Sequence, residues 1–315
     1  MGQKDTGSGR NIEARTTKTA SGAVRRPALG IAILMVAVFF MAAQDGITRH
    51  LTQTLPPVEV IMVRHWALLA FALVLAWRRL GIMKIFRSER PMLQITRSVL
   101  LIAEMTLFAF GVKHLELADM HAMFAVYPLA TMAFGVLILR EQAGWRRWAA
   151  VGVGFIGMLI IVRPGLGVFD LWALSPLIAA VGFALYNVLT RMVSETDPFE
   201  TSLLYNAIIG FIAGTAAGIP VWQDPTGNEW FWLGVICCTG IAAHLLLIMA
   251  LEHAPATTLQ PFNYMALPWS IFIGFIAFSE LPDHWTLVGS AIIVMSGLFV
   301  IWRERIRSAE KTGGS

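Results

Sequence analysis

The sequence predicts an all-α integral membrane protein whose ten transmembrane helices form two inverted five-helix repeats. Three observations carry this prediction: the composition, ten apolar segments of membrane-spanning length, and a polar motif that occurs twice. Of the 315 residues, 57% are hydrophobic and only 14% are charged, whereas soluble chains average about 25% charged residues. So little charge cannot cover so much apolar side chain in water, and we therefore expect the chain to lie in a lipid bilayer.

The ten spans follow a polar leading segment. Residues 1–27 are rich in Gly, Ser and Thr and predict a disordered tail. The next apolar run is too long for a signal-peptide core and ends in Asp and Arg, so we interpret it as an uncleaved first span. The predicted spans cover roughly residues 28–48, 58–77, 97–115, 119–139, 147–163, 171–191, 201–222, 229–251, 257–279 and 285–302.

A polar motif closes the first span and returns at the end of the sixth. Asp45-Gly-Ile-Thr-Arg49 is matched by Asn187-Val-Leu-Thr-Arg191, and Arg64 is matched by Asn206 at the same offset of 142 residues. Such a match indicates two copies of one unit, which we place at 28–165 and 166–303, before a tail at 304–315. Because each copy has an odd number of spans, the copies must be inverted in the membrane, as is typical of carriers.

The distribution of Lys and Arg predicts that both termini are cytoplasmic. Of the 24 Lys and Arg residues, twenty fall on the side of the termini and three on the other, if Arg64 is taken as the only one inside the membrane. The twenty lie in 1–27, 78–97, 140–147, Arg191 and 303–311, and the three are Arg49, Lys113 and Arg163.

Two glycine patterns invite alternative interpretations. Gly152-Val-Gly154-Phe-Ile-Gly157 matches a dinucleotide-binding fingerprint, but no strand precedes it and it lies inside an apolar span, so close helix packing is the better interpretation. Gly210, Gly214 and Gly218 predict a second packing face or a hinge.

Several short motifs are shared with a known transporter group. They are Leu117-Ala118-Asp119, Tyr127-Pro128, Glu141, Trp145-Arg146-Arg147-Trp148 and Arg163-Pro164-Gly165, with Ala256-Thr257-Thr258, Leu267-Pro268, Glu280 and Gly289 in the second half. Over residues 28–303 the chain resembles the EamA-type group of the drug/metabolite transporter superfamily. The resemblance implies a bacterial inner-membrane carrier with a central cavity lined by the first four spans of each repeat. It also implies that the fifth and tenth spans are peripheral, where the contacts of a homodimer would form.

Polar and aromatic residues in mid-span are the candidates for the site. Ionisable groups inside a membrane are costly, so they are usually functional or paired. For Arg64 the alternative is a structural ion pair with Asp45 or Glu104, and for the histidines it is neutral packing. For gating or coupling we single out Asp45, Arg64, Glu104 and Asn187, with Asp45–Arg64 closing the outer pathway and Asn187–Asn206 the inner one. For binding the substrate we single out His121, Tyr127, Tyr186, Asn206, His244, Asn263, Tyr264 and Trp269.

These residues favour a secondary transporter for a small organic solute over other classes. A membrane-embedded enzyme would need a nucleophile, metal cluster or acidic pair, and no such motif is present; adjacent Cys237 and Cys238 predict neither a disulfide nor a metal site. A structural or signalling protein would not need buried charges in matched repeats. We expect no cofactor and no nucleic acid partner. The aromatic residues favour a planar solute such as riboflavin, with S-adenosylmethionine, or import or export of amino acids and other metabolites, as alternatives.

Overall fold

The computed structural model describes residues 27–79, 88–140, 144–163, 171–254 and 259–312. Glu141, Pro164-Gly165, Ala256-Thr257-Thr258 and most of the leading segment lie outside these ranges. The described residues form helices and no strands. The α-helices are α1 (Pro27–Leu51), α2 (Pro57–Arg79), α3 (Pro91–His114), α4 (Leu117–Phe124), α5 (Tyr127–Leu139), α6 (Trp145–Val162), α7 (Leu174–Ser194), α8 (Phe199–Gly218), α9 (Gly227–His253), α10 (Ala266–Phe278) and α11 (His284–Thr312).

The helices account for the ten predicted membrane spans. In the described ranges, seven helical segments are long and apolar enough to cross a bilayer, and three shorter apolar ones lie at Trp148–Val162, Phe262–Phe278 and His284–Val300. The all-α membrane prediction is therefore confirmed. The two largest boundary differences are that α3 begins at Pro91 rather than near residue 97, and that α11 continues to Thr312, past the predicted end of the last span.

The fourth and ninth spans are interrupted at matching places. The fourth divides into α4 and α5 just before Tyr127-Pro128, and in the ninth the 3₁₀ helix Gln260–Met265 precedes α10 and its Pro268. Proline lacks an N–H and disfavours the α conformation of the residue before it, which explains a break at each site. The two spans also end alike, because Arg140 and Ser279 both have positive φ, at 55° and 57°.

The two halves pack through symmetry-related helix pairs. Helix α1 lies against α9, and its counterpart α7 lies against α3; α7 also contacts α5, and α1 contacts α10. The self-related pairs are α2 with α8 and α6 with α11. This is the pattern that a two-fold axis in the membrane plane produces for inverted repeats.

Glycines sit where helices approach most closely. A Cβ at Gly210 would lie 1.9 Å from the ring of His65, and one at Gly214 would lie 3.2 Å from the backbone of Met62. A Cβ on Gly157 would meet the carbonyl oxygen of Gly289 at 2.8 Å. Gly210, Gly214, Gly154 and Gly157 therefore serve helix packing, whereas a Cβ on Gly152 would meet nothing within 4 Å.

Candidate functional site

Two sides of the bundle organise the site. We call the side on which α1 begins the terminal side, and the other the opposite side. Contacts across the helix ends follow this division: the α1 start meets the α9 end at Gly30 and Ala254, and the α3 end meets the start of the sixth span where His114 stacks on Trp172 at 3.7 Å. Each half of the membrane contains a polar cluster.

The same hydrogen bond occurs once in each repeat. Arg64 on α2 donates from Nη2 to Oε1 of Gln44 on α1 at 3.0 Å. Asn206 on α8 donates from Nδ2 to the hydroxyl of Tyr186 on α7 at 3.2 Å. Both residues of the second pair lie 142 positions after those of the first, the offset that the sequence predicted. The bonds lie in opposite halves of the membrane, seven residues after the starts of α2 and α8.

The predicted contacts Asp45–Arg64 and Asn187–Asn206 are therefore wrong by one residue on α1 and on α7. Successive residues of a helix point about 100° apart. Gln44 faces α2, whereas Asp45 faces α4, where its Oδ2 lies 3.1 Å from Nε2 of His121. The two atoms are close, but their geometry is not that of a hydrogen bond. Nε2 of His121 has no hydrogen-bond partner among the described residues. The contact becomes an ion pair when His121 is protonated.

Glu104 completes the charged cluster in the opposite half. Glu104 lies on α3 beside Gly182 of α7 and is only 7% exposed. Asp45 and Arg64 are the charges that act on it. The cluster therefore holds two carboxyl groups and one guanidinium around the centre of the bundle, a set that can bind the polar groups of a solute.

A second buried arginine lies in the terminal half. Arg97 is 1% exposed, six residues into α3. It donates to Oε1 of Gln94 at 2.7 Å and to the carbonyl oxygen of Ser202 at 2.6 Å. It also donates to the hydroxyls of Tyr186 and Thr190, at 3.3 and 3.1 Å. Because Arg97 ends a basic connection, its position predicted a cytoplasmic charge; the structure instead buries it among α3, α7 and α8.

A column of aromatic rings connects the two clusters. It starts at His121, whose ring lies 5.6 Å from that of Phe108, and ends at Tyr186, which stacks on Phe183 at 5.8 Å. Phe124 and Tyr127 bridge these ends. Sequence reasoning missed the three phenylalanines, because nothing distinguishes them from ordinary apolar residues of a span. For Phe124 and Phe183 the available signal was their spacing of three residues from Tyr127 and Tyr186, whereas Phe108 on α3 had no such signal.

The remaining predicted residues are dispersed. His244 on α9 contacts the carbonyl oxygen of Gly240 through Nδ1 at 2.9 Å, the geometry of a packing histidine, near Arg64. Trp269 packs its edge against Phe39 at 5.0 Å, and its Nε1 has no partner among the described residues. Tyr264 points instead at α11, since a Cβ on Gly297 would lie 1.6 Å from its hydroxyl. Asn187 and Asn263 are half-buried.

Ion pairs join the helix ends on the opposite side. Arg49 of α1 pairs with Glu280 beyond α10 and lies over the ring of Phe278, 4.7 Å from its centre. Arg163 beyond α6 pairs with Asp283 before α11. Burial tends to raise the pKa of Asp283, but hydrogen bonds from Thr286 and Arg163 outweigh it and lower that pKa.

The terminal side is joined by a different polar network. Asp197, between α7 and α8, accepts hydrogen bonds from Ser88, from the Glu89 amide at 3.0 Å and from Gln94 at 2.8 Å. Burial alone would raise the pKa of Asp197, but these hydrogen bonds lower it overall. Gln94 therefore stands between this carboxylate and Arg97.

An apolar groove of about 460 Å³ lies between α2, α3 and α8, and no charged residue lines it. Thr106 supplies the only hydroxyl of its lining, and none of the predicted site residues lines it. We place no solute there, because recognition of a polar solute needs polar groups directed at it.

Proteins of known function resemble the chain over most of its length. The S-adenosylmethionine uptake transporter of Rickettsia bellii (strain RML369-C) is 27% identical over 293 residues, covering 92% of this chain and 99% of the relative. The riboflavin transporter of Vibrio cholerae serotype O1 is 29% identical, covering 81% and 86%. The pseudopaline exporter CntI of Pseudomonas aeruginosa (strain UCBPP-PA14) is 25% identical, covering 85% and 94%.

A solved crystal structure shares the fold. It superposes with a TM-score of 0.62 at 16% identity, covering 90% of this chain and 99% of its own. The EamA-like transporter family matches the sequence twice, at residues 28–163 and 170–303. Each match contains one set of five spans and one copy of the hydrogen-bonded pair described above. The chain belongs to the EamA-like transporter family.

Proposed function

We propose that the chain is a secondary transporter that moves a small organic solute across the bacterial inner membrane by alternating access. The solute combines a flat ring with a zwitterionic head, and S-adenosylmethionine is the first to test. The observation that carries this proposal is the cluster of Arg64, Asp45 and Glu104 at the start of the aromatic column. Relatives named as S-adenosylmethionine uptake transporters support it.

Each part of such a solute has a matching group in the site. Arg64 offers a planar guanidinium to a carboxylate, while the carboxyl oxygens of Asp45 and Glu104 accept hydrogen bonds from an ammonium group. The rings of Phe108, Phe124 and Tyr127 offer faces and edges to an adenine, and their π faces also attract a cation such as a sulfonium.

Riboflavin is the second candidate, as the flat aromatic solute that the sequence favoured. The aromatic column and the Vibrio cholerae relative support it. Riboflavin has neither a carboxylate nor an ammonium group, so the buried charges would have no partner in it. That mismatch is why we rank it below S-adenosylmethionine.

Uptake into proteoliposomes separates the two candidates. Wild-type protein should accumulate labelled S-adenosylmethionine saturably, and Arg64→Gln should raise the KM about tenfold, the loss of a charge-assisted hydrogen bond. Arg78→Gln is the matched control, because Arg78 is exposed at the end of the same helix. Saturable riboflavin uptake without S-adenosylmethionine uptake would reverse the ranking.

We also propose the orientation and the assembly that the sequence predicts. Both termini lie in the cytoplasm, the repeats divide at residues 165 and 166, and α6 and α11 lie at the periphery, where a homodimer would form. A single cysteine at position 167 should react with an impermeant maleimide on intact cells, and one at position 84 only after permeabilisation. The reverse labelling would refute the orientation.

A further inference from the structure

We infer that Arg97 and Tyr186 form a second binding station, which takes the carboxylate of the transported solute when the transporter opens on the terminal side. The inference rests on the proposed function and adds a residue and a chemical group to it. Its basis is the unpaired charge of Arg97, the pseudo-symmetry of the two clusters and the aromatic column between them.

The charge of Arg97 is not neutralised by the protein. Its four hydrogen bonds go to an amide oxygen, two hydroxyls and a backbone carbonyl, all of them neutral. No carboxylate of the described residues lies within ion-pair distance, and Asp197 is held beyond Gln94. Neutral acceptors satisfy donors without cancelling charge, so a buried guanidinium in this setting favours an incoming anion.

The hydrogen bonds of Arg97 place its guanidinium at the terminal-half copy of the repeated pair, although Arg97 is not the repeat equivalent of Arg64. In the opposite half, Arg64 belongs to the repeated pair with Gln44. In the terminal half the equivalent pair is Asn206 with Tyr186, which has no cation of its own. Arg97 supplies that cation from α3, bonding to the Tyr186 hydroxyl with its Cζ 5.5 Å from the ring centre. Each half therefore holds one guanidinium at its copy of the repeated pair.

The aromatic column gives the solute a path between the stations. It begins at His121, beside the Arg64 cluster, and ends at Tyr186, beneath Arg97. An inverted-repeat carrier alternates between a state open on the opposite side and a state open on the terminal side. A carboxylate bound at Arg64 with the opposite side open would then bind at Arg97 with the terminal side open, displacing the hydroxyls of Tyr186 and Thr190.

Two probes that differ only in the carboxylate test the station. They are S-adenosylmethionine and its decarboxylated form, which keeps the adenine, the sulfonium and the amine. Initial uptake is measured in membrane vesicles of both orientations, sorted by impermeant labelling. With the terminal side facing the probe, Arg97→Gln should raise the KM for S-adenosylmethionine about tenfold and leave that of the decarboxylated form unchanged. With the opposite side facing the probe, Arg64→Gln should do the same.

Controls separate binding from folding. Arg90→Gln removes an exposed arginine just before α3, whose side chain donates to the Met192 carbonyl, and should change neither KM. Arg97→Lys keeps the charge but loses the planar, bidentate donors of the guanidinium. It should give an intermediate KM for S-adenosylmethionine and leave the KM of the decarboxylated form unchanged. Equal effects on both probes, or on both vesicle orientations, would assign Arg97 a structural role and overturn the inference. Wild-type vesicles that take up neither probe would overturn the proposed function, and the inference with it.

Discussion

Arg49, near the end of α1, forms a bidentate ion pair with Glu280, just beyond the end of α10. Their side chains are only 13% and 20% exposed, and the guanidinium also covers Phe278. Because α1 and α10 belong to different repeats, this pair ties the two halves together on the opposite side. Arg49 follows Asp45 by about one turn of α1, so the pair lies between the charged cluster and the opposite side.

Breaking this pair should open the opposite side. Arg49→Gln leaves Glu280 partly buried without its partner, which weakens the closed arrangement. In a background without Cys237 and Cys238, Thr48→Cys provides a reporter at a position that is 2% exposed. We expect a maleimide to label it about tenfold faster in Arg49→Gln, which corresponds to ~1.4 kcal/mol.

Two further variants sharpen this prediction. The exchange Arg49→Glu with Glu280→Arg should restore slow labelling, because the pair is re-formed with its charges reversed. Arg163→Gln is the control, since Arg163 pairs with Asp283 between α6 and α11 and not across the α1–α10 seam. Slow labelling of the reporter in Arg49→Gln would show that the pair does not hold this side closed.

Gly210 should tolerate no side chain while His65 is present. A Cβ there would lie 1.9 Å from Cδ2 of the His65 ring, whose Nδ1 is fixed by the Ile61 carbonyl at 2.8 Å. Gly210→Ala should therefore destabilise the protein by about 1–3 kcal/mol through overpacking. The thermal midpoint in detergent measures this, and His65→Ala should relieve the loss in the double variant.

Gly234 provides the matched control for Gly210. It lies within α9, and a Cβ on it would meet nothing within 4 Å. Gly234→Ala should leave the midpoint unchanged or raise it, because alanine favours a helix by up to about 1 kcal/mol over glycine. Equal thermal midpoints for the two alanine variants would show that the close contact of α2 and α8 at Gly210 does not make an added methyl group destabilising.

Asp197 should stabilise the fold in a pH-dependent way. Its folded pKa is below the ordinary value of 3.8, so its contribution is fully present at neutral pH and is lost as the pH falls through the folded pKa. The midpoint of Asp197→Asn should lie below that of wild type at pH 7, and the difference should shrink below pH ~4. Glu195→Gln, an exposed neighbour, should give no such pH-dependent difference.

Phe183 should contribute to solute affinity as the centre of the aromatic column. Its ring contacts Phe124, Tyr127 and Tyr186 within 5.8 Å. Phe183→Leu keeps the apolar volume but removes the stacking surface, worth about 0.5–1.5 kcal/mol, so the KM of the transported solute should rise roughly two- to tenfold. Phe231→Leu, on an exposed ring of α9, should leave the KM unchanged. An unaltered KM in Phe183→Leu would show that the transported solute does not bind against the aromatic column.

Sequence reasoning worked where the bilayer and the repeat constrain the chain. A run of apolar residues has few alternatives to a membrane helix, so the ten spans could be predicted. The offset of 142 residues could also be predicted, and it reappears in the bonds Arg64–Gln44 and Asn206–Tyr186. The breaks before Pro128 and Pro268 were not predicted, since both spans were expected to be continuous, although local covalent geometry explains them.

The prediction failed where it depended on the direction of a side chain. Asp45 and Gln44 are adjacent in sequence, yet one faces α4 and the other α2. Tyr264 had the expected depth, but its ring occupies the space that Gly297 leaves on α11. Arg97 looked like one more basic residue at a cytoplasmic boundary, and its burial depends on acceptors from α7 and α8.

The sequence by itself determined the membrane class, the number of spans, the inverted repeat and the positions that correspond between its copies. These properties follow from apolar length, residue charge and periodicity, which can be read along one chain. Only the tertiary structure decided which groups meet: His121 with Asp45, Gln44 with Arg64, and Arg97 with Tyr186. The physical reason is that a helix turns 100° per residue, so neighbouring polar side chains face different helices, and the packing of the two halves selects the partner of each.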